Sequence, residues 1–198
     1  MDFDFSKEYV LEDERVLLRP LTPSDDHHLR HYLQQEPGLW EYFPVGSAPV
    51  GEGGMERYIQ TAAAARSNRL QYPFIVFDKK ENEYAGSTRF YDIQPVHEIV
   101  SIGNTWYGSN FQGTGLNKHA KFLLLQFAFE ALEAERVQFE ADQVNEKSVA
   151  AMKSIGCTVE GVLRSNRTMS NRRRDTIVLS ILKEEWIGHV KENLKKKL

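Results

Sequence analysis

Residues 102–129 read IGNTWYGSNFQGTGLNKHAKFLLLQFAF, and three patterns follow one another in them. Up to Tyr107 the residues suit a strand. Gly108 to Gly115 is rich in glycine and polar residues. From Leu116 onward apolar residues recur at helical spacing. Leu116, Ala120, Leu123, Leu124, Phe127, Ala128 and Ala131 form one stripe, and Phe122, Leu125, Phe129 and Leu132 a second. A helix that is apolar on most sides is buried, so a helix running to about Ala134 is expected to lie across a sheet. The first amides of such a helix lack internal partners and carry the positive end of its dipole. With glycines that let the backbone bend and approach a ligand, the turn Gln112–Asn117 predicts an anion site suited to a pyrophosphate.

Two common pyrophosphate loops do not fit. Gly108 and Gly113 have the Walker A separation, but Thr114 stands where lysine is required. The dinucleotide pattern fails because Gly113-Thr114-Gly115 is followed by Leu116, Asn117 and Lys118. A bare Gly-x-Gly is also compatible with an ordinary tight turn.

Outward from this segment, Arg15–Arg19 reads as a first strand. Thr22-Pro23-Ser24-Asp25 reads as a helix start, with Thr22 as N-cap, and Pro37-Gly38 as that helix's end. A second helix is expected over about Glu52–Arg66. Between the two helices, residues 39–51 hold Trp40, Tyr42 and Phe43, aromatics that either line a pocket or cap the core. Three consecutive antiparallel strands are expected at Tyr72–Phe77, Tyr84–Asp92 and Glu98–Tyr107. After the long helix come a strand at Arg136–Ala141, a short helix at Asn145–Ile155, and strands at Thr158–Arg164 and Asp175–Leu182 joined by a polar, basic connection. A final helix closes the chain. This order predicts one α+β domain with a mixed sheet.

The turn resembles the coenzyme A signature of the GNAT acetyltransferase superfamily, Gln/Arg-x-x-Gly-x-Gly/Ala. Gln112 and Gly115 occupy its first and fourth positions, with Asn117 where Gly or Ala is usual. The longer string, Ile-Gly, then Thr-Trp-Tyr, then Phe-Gln-Gly-Thr-Gly-Leu-Asn, is similar to the Rim-type branch, which acetylates ribosomal-protein N-termini. Asn145-Glu146-Lys147-Ser148 with Ile155-Gly156-Cys157 resembles a second family block, and Asp175-Thr176 entering an apolar strand a third. The resemblance spans about residues 10–187 of a single domain, leaving a helical tail.

The resemblance implies a mostly antiparallel sheet of about seven strands, splayed around the cofactor and flanked by helices on both faces. It implies acetyl-CoA as co-substrate, held by the backbone at Trp106 and Tyr107 and by Gln112, Gly113, Thr114, Gly115, Leu116 and Asn117. Asn145 and Ser148 would face the thioester. Asn145 is also what any helix N-cap would be. The reaction would be direct attack of an amine on the thioester in a ternary complex, with a backbone amide near Trp106 for the carbonyl oxygen. Many relatives protonate the leaving thiolate with a Tyr where Met152 stands here, so Ser148 is the candidate acid. The Rim-type pattern has Glu before the Ile-Gly pair, where this chain has Ser101. Glu98 is the nearest candidate base, although alternation puts positions 98 and 101 on opposite faces.

The weak base bears on the acceptor. Neutralising a lysine amine at pH 7 costs about 4.6 kcal/mol, and an α-amine only about 1.4 kcal/mol. The expected acceptor is therefore a protein or peptide α-amine, with a small-molecule amine as the alternative and a non-catalytic acyl-CoA-binding module as the rival of another class.

Composition narrows the partners. With 25 basic against 28 acidic residues the net charge is −3, so no broad nucleic-acid surface is expected. The acidic start MDFDFSKEYVLEDER is not a signal peptide, no apolar run is long enough to span a membrane, and the lone Cys157 suits a reducing cytoplasm. A monomer or homodimer is expected. No metal is expected: His27 and His31 share a helix face without a third ligand. Arg164, Arg167, Arg172, Arg173 and Arg174 flank the last two strands, either as a solvated hairpin or as an attraction for an acidic acceptor.

Overall fold

The computed structural model describes residues 1–198. In chain order the elements are β1 (Leu11–Glu12), β2 (Val16–Pro20), α1 (Asp26–Gln35), α2 (Gly54–Ser67), β3 (Gln71–Asp78), β4 (Glu83–Gln94) and β5 (Ile99–Tyr107). Then follow α3 (Leu116–Gln126, prolonged by a π-helical turn Phe127–Ala131), β6 (Arg136–Asp142), α4 (Glu146–Ser154), β7 (Thr158–Thr168) and β8 (Arg173–Leu182). The C-terminal helix is α5 (Lys183–Glu185), a π stretch (Trp186–Val190) and α6 (Lys191–Lys195).

The strands form one sheet in the order β1-β2-β3-β4-β5-β6-β8-β7. Every neighbouring pair is antiparallel except β5 and β6. Side-chain alternation along β3 and β4 sorts residues onto two faces. Tyr72, Phe74 and Phe90 face α3, where Phe90 meets Phe127 at 5.9 Å between ring centroids. Most of the two apolar stripes of α3 is buried, with Leu116, Ala120, Leu124, Leu125 and Ala128 fully enclosed, while Leu123 and Phe127 are half-buried and Ala131 is exposed. Each enclosed Leu or Phe contributes about 1.5–3 kcal/mol, which makes this helix-on-sheet layer the main source of stability. On the opposite face Arg89 Nη2 and Trp106 Nε1 both donate to Tyr58 Oη of α2, at 2.5 and 3.2 Å. The start of α1 is as expected: Pro23 opens a helical turn, and the Asp25 carboxylate accepts from the Thr22 backbone N–H at 2.8 Å and from Arg19 at 2.6 and 2.9 Å.

Two features differ from the sequence expectation. The sheet has eight strands, because the two-residue β1 pairs with β2 through Leu11 and Glu12. The basic connection between the last strands is itself strand: β7 runs to Thr168, and the hairpin closes with Met169 N donating to Arg172 O at 2.9 Å. β7 is an edge strand exposed along almost its whole length, so it carries no apolar alternation to betray it.

Candidate active site

The parallel pair is short. Ile99, Val100 and Ser101 lie beside Arg136, Val137 and Gln138, and the two strands then part. The parting coincides with a bulge in β5. Asn104 has φ 47°, and between the pairs Arg89↔Gly103 and Ser87↔Trp106 β5 carries one residue more than β4. The far end of β5 stays on β4, where Gly108 N donates to Ala85 O at 2.9 Å. The alternation of an antiparallel ladder therefore turns the Tyr107 peptide groups toward the gap. The Tyr107 carbonyl there accepts from Gln112 Nε2 at 3.0 Å, which ties the turn to the strand end. Trp106 aims its ring away from the gap, into Trp40 (4.8 Å) and Tyr32 (5.5 Å). The Trp106 carbonyl is turned to Gly86 of β4, so it is the next residue, Tyr107, whose peptide groups face the opening.

The turn itself is built for an anion. Gly113 (φ 74°) and Gly115 (φ 93°) adopt left-handed backbone that L side chains rarely take, although a Cβ at either would meet nothing within 4 Å. The glycines are thus there for conformation rather than for space. Thr114 Oγ1 donates to Phe111 O at 2.8 Å, and Leu116 N reaches only Thr114 Oγ1, at 3.5 Å. The amides of Gly113, Thr114, Gly115 and Asn117 donate to nothing within the chain. Four free N–H groups gathered at a buried helix's entrance form a cradle that fits a diphosphate.

Across the gap, Asn145 caps α4, its Oδ1 accepting from Ser148 N at 3.0 Å. The half-buried Ser148 hydroxyl makes no hydrogen bond within the chain, and Met152 is buried. Cys157 is enclosed, and burial pushes its thiol up to about 12, which leaves no thiolate to act as a nucleophile. Lys121, which the sequence reading passed over, is buried under α3. Its Nζ donates to Thr105 Oγ1 at 2.7 Å and Thr88 Oγ1 at 3.3 Å, and burial lowers it to about 7 against a small opposing pull from Cys157.

Glu98 is not brought to this place. It precedes β5 at the closed end, in left-handed backbone, with its carboxylate 3.6 Å from the amino group of Met1. Five residues at about 3.3 Å each separate it from Gly103. Glu98, the sequence candidate for a base, thus stands beyond the paired end of the junction and not at the parting of the two strands.

The face opposite α3 carries polar groups that the sequence reading did not single out. β6 presents Arg136, Gln138, Glu140 and Asp142 there, at every second position. Arg136 pairs with Glu160, and Asp142 accepts from Arg172 at 2.5 and 3.4 Å. Arg174 is buried, and its one hydrogen bond runs from Nε to Thr176 Oγ1 at 3.1 Å. Tyr91 packs against Gly103, where a Cβ would meet its ring at 2.7 Å. Val45 N donates to Thr168 O at 3.0 Å, so the aromatic loop between α1 and α2 joins the β7–β8 hairpin and walls this face. His27, discounted above as a ligand, sets Nδ1 on the Ser24 carbonyl at 2.6 Å.

Residues 15–158, which include the splayed junction and the helix-entrance turn, are matched by a family model described as an acetyltransferase (GNAT) domain. The chain belongs to the GNAT acetyltransferase family. These enzymes take their acetyl group from acetyl-CoA and pass it to an amine. The "Putative ribosomal N-acetyltransferase YdaF" of Bacillus subtilis (strain 168) is 29% identical over 183 residues, covering 89% of this chain and 96% of that one. Spermidine N(1)-acetyltransferase of Escherichia coli (strain K12) is 24% identical over 179 residues, covering 89% and 90%. The crystal structure of a "putative acetyltransferase from T. thermophilus" is 34% identical, with a TM-score of 0.85 over 100% of this chain and 99% of that one. No helix of this GNAT acetyltransferase is long and apolar enough to cross a membrane.

Proposed function

We propose that this acetyltransferase moves the acetyl group of acetyl-CoA to the α-amine of a protein or peptide, by direct attack in a ternary complex. The observation that carries the reading is the pairing of an open β5–β6 gap with four unpartnered amides between Gly113 and Asn117. In this reading the amides and the dipole of α3 hold the diphosphate, and the Gln112 side chain fixes the turn against Tyr107. Leu116 anchors the helix start in the core. The pantetheine amides pair with the outward peptide groups of Tyr107 and the main chain beside Trp106. Asn145 caps α4 and so sets Ser148 at the thioester end, where the free hydroxyl donates to the leaving sulfur.

The acceptor class rests on two arguments. An α-amine needs about 3 kcal/mol less than a lysine side chain to become neutral at pH 7. The rim is also basic: Arg164, Arg167 and Arg173 are exposed on the β7–β8 hairpin beside the polar face. Such a rim repels a polyamine such as the substrate in the spermidine enzyme's name, and tolerates a peptide with acidic residues. The name of the Bacillus subtilis relative points the same way.

The test has two parts. Calorimetry with acetyl-CoA asks whether the cradle binds, and mass detection of acetyl transfer is run on peptides with free α-amines, peptides with blocked termini but free lysines, and spermidine. Transfer confined to free α-amines is expected. Equal rates on lysine side chains, or preference for spermidine, would overturn the acceptor assignment. Binding without transfer to any amine would favour a non-catalytic acyl-CoA-binding module.

A further inference from the structure

The chain has no carboxylate at Ser101, and Glu98 is held at the closed end, yet the family reaction needs a group to take the amine's proton. The register shows where one stands. Ile99↔Arg136, Val100↔Val137 and Ser101↔Gln138 are paired, and continuing that register past the parting puts Glu140 across the open gap from Gly103, next to the bulged Asn104. Alternation along β6 turns Glu140 to the same face as Gln138 and Asp142, away from α3 and its anion cradle. The gap's two lips on that face are then Tyr91, lying on Gly103, and Glu140. Burial, followed by the Glu140 carboxylate, holds the Tyr91 phenol well above its usual range, in keeping with their facing each other.

The partners of Glu140 are incomplete. Its side chain is 18% exposed, and its closest cation is Arg167 Nη2 at 4.0 Å. Gln138 Nε2 donates to it at 3.3 Å. The neighbouring carboxylate Asp142 is already filled by Arg172, and Glu160 by Arg136. Arg174 on β8 is near enough to feel Glu140 but sends its one hydrogen bond to Thr176. A mostly buried carboxylate with lone pairs to spare, at the edge of a gap, is a receptor for a cation.

We propose that Glu140 receives the acceptor's ammonium group and takes its proton, so that the carboxylate usual on β5 in Rim-type enzymes is supplied here from the opposite lip. The inference rests on the acetyl-transfer reading above. The ammonium gives one proton to Glu140, and its nitrogen lone pair attacks the thioester carbon. As the C–N bond forms the C–S bond breaks, and its electron pair leaves on sulfur. The thiolate gains a proton through the Ser148 hydroxyl, which is reprotonated by the second proton of the nascent amide. Glu140 releases its proton to solvent when the product leaves. Tyr91 orients the incoming amine from the facing lip.

The test compares wild type, Glu140→Gln and Glu140→Asp in acetyl transfer to a free-α-amine peptide, with calorimetric acetyl-CoA affinity and thermal melting measured alongside. For E140Q, kcat/KM at pH 7 falls about 10-fold, the factor by which the neutral α-amine is scarce at that pH, while acetyl-CoA affinity stays within about twofold. The deficit shrinks as pH rises past the α-amine's own pKa near 8, because the free amine then needs no base. E140D recovers part of the rate. Turnover of E140Q within about threefold of wild type at pH 7, or a deficit that is the same at pH 7 and pH 9, overturns the role of Glu140. A fall in melting temperature with the rate intact assigns Glu140 to structure and likewise overturns it. Failure of the wild-type chain to bind acetyl-CoA at all strikes the acyltransferase reading itself, not this residue.

Discussion

Lys121 offers the sharpest quantitative check, because a buried amine without a carboxylate partner leaves a signature in the pH dependence of stability. Burial lowers it from 10.5 to about 7 in the folded chain. Between those two values the unfolded chain binds a proton that the folded chain does not, so stability rises with pH across the window, and the cost of the buried charge is greatest below pH 7. Linkage over this interval gives a gain of about 2 kcal/mol between pH 7 and pH 9 from this residue alone. Lys121→Met removes it without orphaning its neighbours, since Thr88 Oγ1 and Thr105 Oγ1 already share a hydrogen bond of 2.7 Å. Urea unfolding of wild type and K121M at pH 7 and pH 9 therefore converges or crosses by about 2 kcal/mol, a midpoint difference of about 1 M at an m-value near 2 kcal/mol/M. Curves that stay parallel over the two pH values would show that Lys121 is hydrated in the folded state, and would remove the sealed layer under α3 from the account.

Three further outcomes follow from the site. Ser148→Ala lowers kcat by about 10- to 100-fold with calorimetric acetyl-CoA affinity unchanged, and a mutant with wild-type turnover takes Ser148 out of the reaction. Gly115→Val forces a β-branched residue to φ 93°, and costs about 1–2 kcal/mol as well as at least about tenfold in acetyl-CoA affinity, both readable by melting and calorimetry. Asp142→Ala leaves Arg172 and the Val144 N–H without its carboxylate and loosens the hairpin wall, lowering the urea midpoint while acetyl-CoA affinity holds.

What the sequence revealed follows from the range of the interactions involved. The α3 stripes, the turn glycines and the β3–β5 strands were legible because each depends on neighbours within one turn or one strand. β1 was not, since two residues carry no period and Leu11 finds its place only against Leu18. The far half of β7 was hidden by exposure on both faces. Lys121 sits between buried residues of an otherwise apolar helix, where sequence shows a break in a stripe and not the threonines of two other strands that receive it. Glu140 illustrates the limit most clearly. The alternation in RVQFEAD marks Gln138, Glu140 and Asp142 as one polar row, but it takes the parallel register, continued past its last pair, to set the middle one toward Gly103.

The topology also explains why the cradle and the gap occur together. A parallel neighbour of β5 cannot follow it directly, because the chain leaves β5 at one end and must enter β6 at the other. α3 makes that return, so its C-terminus must reach the closed end, where Ser101 and Gln138 still pair, and its N-terminus is fixed at the open end. The free amides of residues 113–117 thus stand at the mouth of the gap by necessity of connection. The bulge at Asn104 then decides how far the gap extends: it bends β5 with β4 while β6 follows β8. One face of the opening is sealed by α3 with a largely uncharged lining, and the other keeps the polar row of β6. On the proposed function, a coenzyme held by its diphosphate at the cradle meets, at its far end, an amine that comes from the polar face of the sheet.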